Sequence, residues 1–268
     1  MRTIALASGK GGVGKTALAL GLATALAEAG RSVLCIDADL GLSNLDILAG
    51  IDPDAHLGHV LAGRRRLEEI LHVGPLGVRF AFGAPAGGRS GSGLPKKLGD
   101  FHLQLAELGP DFDFAVLDTA SGNGARSLHS VQAADEAVLV VTPDPASIAD
   151  AYSTAKMLWR RDFSAKVRVL ANQVTSESEA ERIVSAIGQV CESYLGTQVD
   201  LLGSVRYDPA LARSVRERVP LIAKYPNSAA ANDLRRVAGE LIGEIRGEVV
   251  DIRTFLGAPP SRPRAANG

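Results

Sequence analysis

The sequence predicts an α/β chain: a doubly wound, mostly parallel sheet with helices on both faces. Two observations carry this. Short runs of β-forming apolar residues alternate with longer segments of helical period, the order of repeated βαβ units. The short runs are apolar throughout, whereas a strand with one wet face would alternate, so both faces of the sheet must be covered.

The predicted strands are Thr3–Ala7, Ser32–Ile36, Val78–Phe82, Phe114–Leu117, Ala137–Val141 and Val167–Leu170. Between the first two, Thr16–Ala29 sets Leu18, Leu22, Ala25 and Leu26 on one helical face and stops at Gly30, a left-handed stop signal. The stretch Gly83–Gly93 is crowded with glycine and serine and reads as a surface loop. Near the end, Leu234, Val237, Leu241, Ile245, Val249, Ile252 and Leu256 recur at helical spacing, with arginines and acids between them. The tail 257–268, rich in proline, has too little apolar content to offset its ordering entropy and is expected to be disordered. One domain is expected over 1–256, with its core at about 1–246 and an amphipathic helix at about 230–256; the chain's 268 residues, 46% apolar, suffice for one sizeable core.

Charge excludes some partners. Lys and Arg number 29 against 30 Asp and Glu, so no global field draws the chain to nucleic acid or anionic lipid. Runs such as Arg64-Arg65-Arg66 and Arg160-Arg161 are short, and solvated faces explain them. The first strand is far shorter than a signal core or a span, so a cytoplasmic protein is expected. Cys35 and Cys191 stand apart in apolar runs and are expected to be buried small hydrophobes. The five histidines show no metal-binding spacing; His56 and His59, three apart, suit a helix surface.

The strongest motif follows the first strand and opens a helix: Gly9-Lys10-Gly11-Gly12-Val13-Gly14-Lys15-Thr16 fits G-x-x-x-x-G-K-[ST]. Glycines let such a loop curl its N–H groups onto phosphates, and the helix N-terminus adds its positive end. Lys15 would contact the β and γ phosphates and the Thr16 hydroxyl would ligate Mg²⁺. Carboxylates stand where further strands end: Asp37 and Asp39 in DADLGLSNLD, and Asp118 in LDTASG. That edge of a parallel sheet is where ligands of open α/β folds bind. Aspartates also cap turns, and Asn172, closing VRVLANQ, could equally form one.

Lys10, with the rest of KGGVGKT, resembles the deviant Walker A motif of the MinD/ParA family of ATPases. The resemblance implies ATP or ADP with Mg²⁺ as ligands, and a homodimer in the ATP state in which Lys10 reaches the partner's nucleotide. It implies further that Asp39 orients the attacking water, while Asp37 and Asp118 support the magnesium shell. Asn172 would read the adenine edge, and Asp208 and Pro209 would close over the base. Catalysis would rest on Lys10, Lys15 and Asp39, with slow hydrolysis stimulated by the dimer or a partner.

DADLGLSNLDILAG, Thr142–Tyr152 and Tyr225-Pro226-Asn227-Ser228 are most similar to the flagellar-number regulators, the FlhG/FleN branch. This implies an FlhF-like GTPase, a flagellar basal-body or switch protein, or a flagellar transcription activator as partner. The branch's glutamine-containing N-terminal extension would find no room before Met1. The helix stripe ending at Leu256 could dock weakly on the inner membrane face, although Glu240, Glu244, Glu248 and Asp251 oppose anionic lipid. Septum-site and DNA-partitioning ATPases are the near alternatives. An iron–sulfur carrier would need cysteines at a dimer axis, and an amide ligase a substrate pocket that no motif marks.

Overall fold

A computed structural model describes residues 1–39, 43–84, 94–122, 124–132, 134–161, 163 and 165–246. Its strands are β1 Arg2–Ala7, β2 Val33–Ala38, β3 His72–Val73, β4 Arg79–Ala81, β5 Phe114–Thr119, β6 Glu136–Val141, β7 Lys166–Val174 and β8 Asp200–Arg206. They form one sheet in the order β3-β4-β2-β5-β1-β6-β7-β8. Every pairing is parallel except β3 with β4. The chain winds toward β2 from β1, then crosses β1 from β5 to β6, so the direction of winding reverses at β1.

The helices are α1 Lys15–Glu28, α2 Leu45–Ala49, α3 Leu57–Leu61, α4 Leu94–Glu107, α5 Ala125–Gln132, α6 Pro145–Trp159, α7 Glu177–Leu195, α8 Pro209–Glu217, α9 Leu221–Lys224 and α10 Ala229–Arg246. Each central strand sends alternate residues into two separate cores. Ile4, Leu6, Val33 and Cys35 meet Leu18, Leu22 and Leu26 of α1 and Leu234, Val237 and Leu241 of α10. Ala5, Ala7, Leu34 and Ile36 meet Leu128 of α5, Ala155 and Leu158 of α6, and Ile183 and Ile187 of α7. A strand apolar at every position is the consequence of those two cores. Each fully buried leucine removed from water contributes about 1.5–3 kcal/mol.

Helix α1 is buried on more than the expected face. Besides Leu18, Leu22, Ala25 and Leu26, the residues Ala19, Leu20, Ala23 and Thr24 are inaccessible, because α10 lies across α1. The crossing is close at Gly21, where an added Cβ would come within 2.6 Å of Leu234 Cδ1. Both cysteines are fully buried.

Starts and stops follow local chemistry. Ser176 caps α7 by accepting from the Glu179 amide, and Gly196 closes it in the left-handed region. Asp144 caps α6 and Asp208 caps α8, each followed by proline in the first turn. His56 and His59 are not simply two surface side chains: they form a reciprocal capping box on α3, rings 4.1 Å apart. Burial and the neighbouring ring hold the His56 imidazolium below its ordinary range.

At the amino edge of the sheet, opposite the phosphate loop, lies a charge cluster. Arg2 Nη2 meets Glu136 Oε2 at 2.5 Å and Glu244 Oε2 at 2.6 Å, while Arg168 pairs with Glu136 and, at 3.0 Å, with Glu244. The cluster ties α10 to β1, β6 and β7.

β3 and β8 are absent from the expected strands, since two residues give β3 no periodicity and Gly203 and Ser204 interrupt the apolar run of β8, and β7 runs four residues past Leu170 through polar Asn172 and Gln173. Leu40 to Leu42, most of the Gly83–Gly93 stretch, and everything beyond Arg246, including the tail 257–268, lie outside the described residues. Among the described residues no helix is long and apolar enough to cross a membrane.

Candidate functional site

The loop between β1 and α1 sits at the carboxyl edge of the sheet, where β1 ends beside β5 and β6. Gly12 and Gly14 adopt φ of 83° and 89°, which side chains rarely tolerate. Gly9 is required for another reason: a Cβ there would lie 2.5–2.7 Å from the Cβ, carbonyl oxygen and carbonyl carbon of Asp150 in α6. Ser8 ties the loop internally, its Oγ donating to the Lys10 carbonyl at 2.9 Å. Its own carbonyl accepts from Gly122 N at 2.8 Å, joining the segments after β1 and β5.

The two lysines of the loop behave differently. Lys15 points inward and is 8% exposed; Nζ donates to Asp118 Oδ1 at 2.7 Å and to the Thr119 carbonyl. Lys10 stands at the rim, with 37% of its side chain exposed, and pairs with Asp144. Thr16 follows Lys15 in the first turn of α1.

Asp37 and Asp118 are register neighbours on β2 and β5, both buried. Asp37 accepts from Asp39 N at 3.0 Å through Oδ1; Oδ2 accepts from Ser43 Oγ at 2.7 Å, Asn44 N at 3.1 Å and Leu45 N at 3.2 Å. Burial, reinforced by the charge of Asp118, nevertheless pushes its carboxyl up to about 7. Local hydrogen bonding lowers that value without cancelling it. Asp39 is half-buried at the end of the same strand, where the sequence motif expects it.

Asn172 lies under the loop instead of on an open edge. It is 1% exposed, its Nδ2 donates to the Val13 carbonyl at 2.7 Å, and Oδ1 has no hydrogen-bond partner among the described residues. A Cβ on Gly14 would strike that amide at 2.6 Å. In this structure Asn172 therefore buttresses the phosphate loop, and one polar atom remains unsatisfied beside it. Asp208 is likewise engaged: Oδ1 caps α8 through Ala210 N at 2.8 Å and Oδ2 accepts from Ala230 N, at the start of α10, at 3.0 Å. With Pro209, Tyr207, Arg213, Tyr225 and Pro226 it lines a shallow cavity at the same edge.

Gly9–Thr16, Asp37, Asp39 and Asp118 lie as neighbours at one edge of the sheet, where their positions after β1, β2 and β5 place them. Sequence reasoning did not find Asp144, Ser43 or the Thr119 carbonyl. Asp144 lies in the Thr142–Tyr152 stretch, whose wording carried family likeness alone, and a carbonyl gives no signal at all. Among the described residues no three His, Cys, Asp or Glu form a cage for a metal ion.

Residues 4–221 match the CobQ/CobB/MinD/ParA nucleotide binding domain. The chain is 36% identical over 239 residues to the antiactivator FleN of Pseudomonas aeruginosa, covering 89% of this chain and 85% of that protein. It is 30% identical over 255 residues to the flagellum site-determining protein YlxH of Helicobacter pylori, covering 93% and 84%. The structure is similar, with TM-score 0.77 and 26% identity over 92% of this chain and 97% of the other, to the septum site-determining protein MinD of Pyrococcus horikoshii complexed with Mg-ADP. The chain belongs to the CobQ/CobB/MinD/ParA family of nucleotide-binding domains.

Proposed function

We propose that this protein is an ATP-dependent switch ATPase that dimerises with ATP and controls the placement or number of flagella. The observation that carries the proposal is the division of labour in the loop: Lys15 is buried against Asp118, while Lys10 is held at the rim, where a second subunit can be reached. The flagellar assignment is supported by the likeness to FleN and YlxH, and the septum-site alternative by the likeness to MinD.

In this reading the amides of Gly9 to Thr16 cradle the phosphates of ATP or ADP, and Lys15 leaves Asp118 for the β and γ oxygens. Thr16 would ligate Mg²⁺ and Asp37 and Asp118 would hold its water shell; an ion held there would supply positive charge against the phosphate oxygens. The buried pair Asp37 and Asp118 fits that ion: two carboxylates are register neighbours at the sheet edge, and Asp37, raised first by burial and then by the charge of Asp118, is relieved by a cation. Asp39 orients the attacking water and Lys10 stabilises charge on the partner's nucleotide. Asn172 keeps the loop in shape, and its buried, unsatisfied Oδ1 would meet the adenine amino group only if nucleotide binding opens the loop above it. Asp208 and Pro209 shape the wall of the base cavity. An FlhF-like GTPase, a basal-body or switch protein, or a flagellar transcription activator would read the dimer surface, in the cytoplasm or with weak contact at the inner membrane face.

Light scattering on size-separated protein tests this. With Mg·ADP both wild type and Asp39→Ala should be monomers; with Mg·ATP, Asp39→Ala should be a stable dimer. An Asp39→Ala protein that stays monomeric in ATP would remove the roles given to Lys10 and Asp39.

A further inference from the structure

We infer that Asp144 is a positioning residue for Lys10: it parks the lysine on its own subunit and must release it before the dimer can form. This rests on the dimerising reading above. Asp144 is well suited to the task because it is itself held. Its Oδ1 accepts from Ala146 N at 3.1 Å as the cap of α6, leaving Oδ2 aimed at the Lys10 ammonium. The loop is pinned to the same helix next door, where Gly9 lies against the Asp150 backbone with no room for a Cβ. Lys10 and its parking site therefore move as one unit, and the pair forms without ordering any further segment.

The electrostatics agree. Hydrogen bonding to Lys10 holds the Asp144 carboxyl below its ordinary range. Both side chains are partly open, 37% and 47% exposed, so the contact is weak enough to break. An ammonium that moves onto a phosphate loses one anion and gains another, and the parked state subtracts from the gain. Two subunits must each release one lysine, so the penalty enters the dimer equilibrium squared. An exposed pair of this kind is worth a factor of about 3 per subunit, which makes about 10-fold on the dimer dissociation constant.

The test is sedimentation of the full chain with Mg²⁺ and a non-hydrolysable ATP analogue, for wild type, Asp144→Asn and Asp144→Glu. Asparagine is as good a helix cap as aspartate and lacks the charge, so it separates parking from capping. The expected result is a dimer about 10-fold tighter for Asp144→Asn, wild-type behaviour for Asp144→Glu, and a difference that shrinks as salt is raised. A dimer in Asp144→Asn as weak as wild type or weaker overturns the assignment while leaving the dimerising reading intact. No dimer in any of the three proteins overturns both.

Discussion

Asp37 makes the stability of the nucleotide-free protein depend on pH in an unusual direction. Its carboxyl is raised from 3.8 to about 7, first by burial and then by the charge of Asp118. The folded protein therefore keeps a proton that the unfolded chain has released. A group whose native value is raised gives its full stabilisation below the unfolded value and loses it as pH rises through the native one. At about 1.4 kcal/mol per unit, the interval corresponds to about 4 kcal/mol lost between pH 4 and 7. Asp37→Asn carries no such proton. Its amide would set a donor against either Asp39 N–H or the Ser43 and α2 donors, so the variant is weaker at low pH, and its own stability does not vary with pH through this position. Urea unfolding of both proteins from pH 5 to 8, without nucleotide or Mg²⁺, gives the difference in stability at each pH. Wild type should lose about 3 kcal/mol of its advantage across that span. Stability curves that stay parallel would refute the assignment of a raised carboxyl to Asp37.

Other substitutions probe separate parts of the same structure. Gly9→Ala drives a Cβ into the Asp150 backbone, which must shift, and should weaken ATP binding at least about 10-fold by calorimetry and lower the thermal unfolding midpoint, by about 1–3 kcal/mol of stability. Asn172→Ala frees the Val13 carbonyl and removes one buried bond, costing about 1–2 kcal/mol in urea unfolding and loosening ADP and ATP alike. Arg168→Met leaves Glu136 buried with Arg2 as its remaining partner; a loss of about 3 kcal/mol is expected, with ATP affinity unchanged, since the cluster lies at the opposite edge.

The parts of the fold that were legible in the sequence are those with a repeated signal. Ile4, Leu6, Val33 and Cys35 fall in one core and Ala5, Ala7, Leu34 and Ile36 in the other, and only a strand between two cores is apolar at every step. The phosphate loop was legible because Gly12 and Gly14 hold backbone angles that few other residues accept. What escaped was long-range and singular. Nothing local marks Asp144 as the partner of Lys10, 134 positions away, or Asn172 as the support of Val13, 159 positions away. The extent of α1's burial escaped as well, since it depends on α10 crossing at Gly21. Asp208 looked like a ligand-facing residue at the sheet edge, yet both its oxygens are engaged by helix N-termini, a role that requires knowing where α10 begins.

The central claim is that each site is completed by a second subunit. It is tested most directly by ATP turnover per protomer, measured across a wide range of protein concentration in wild type and Lys10→Ala. Turnover in wild type should rise with concentration and level off once the dimer is saturated, and Lys10→Ala should stay near background throughout. A rate per protomer independent of concentration, equal in the two proteins, would contradict the account.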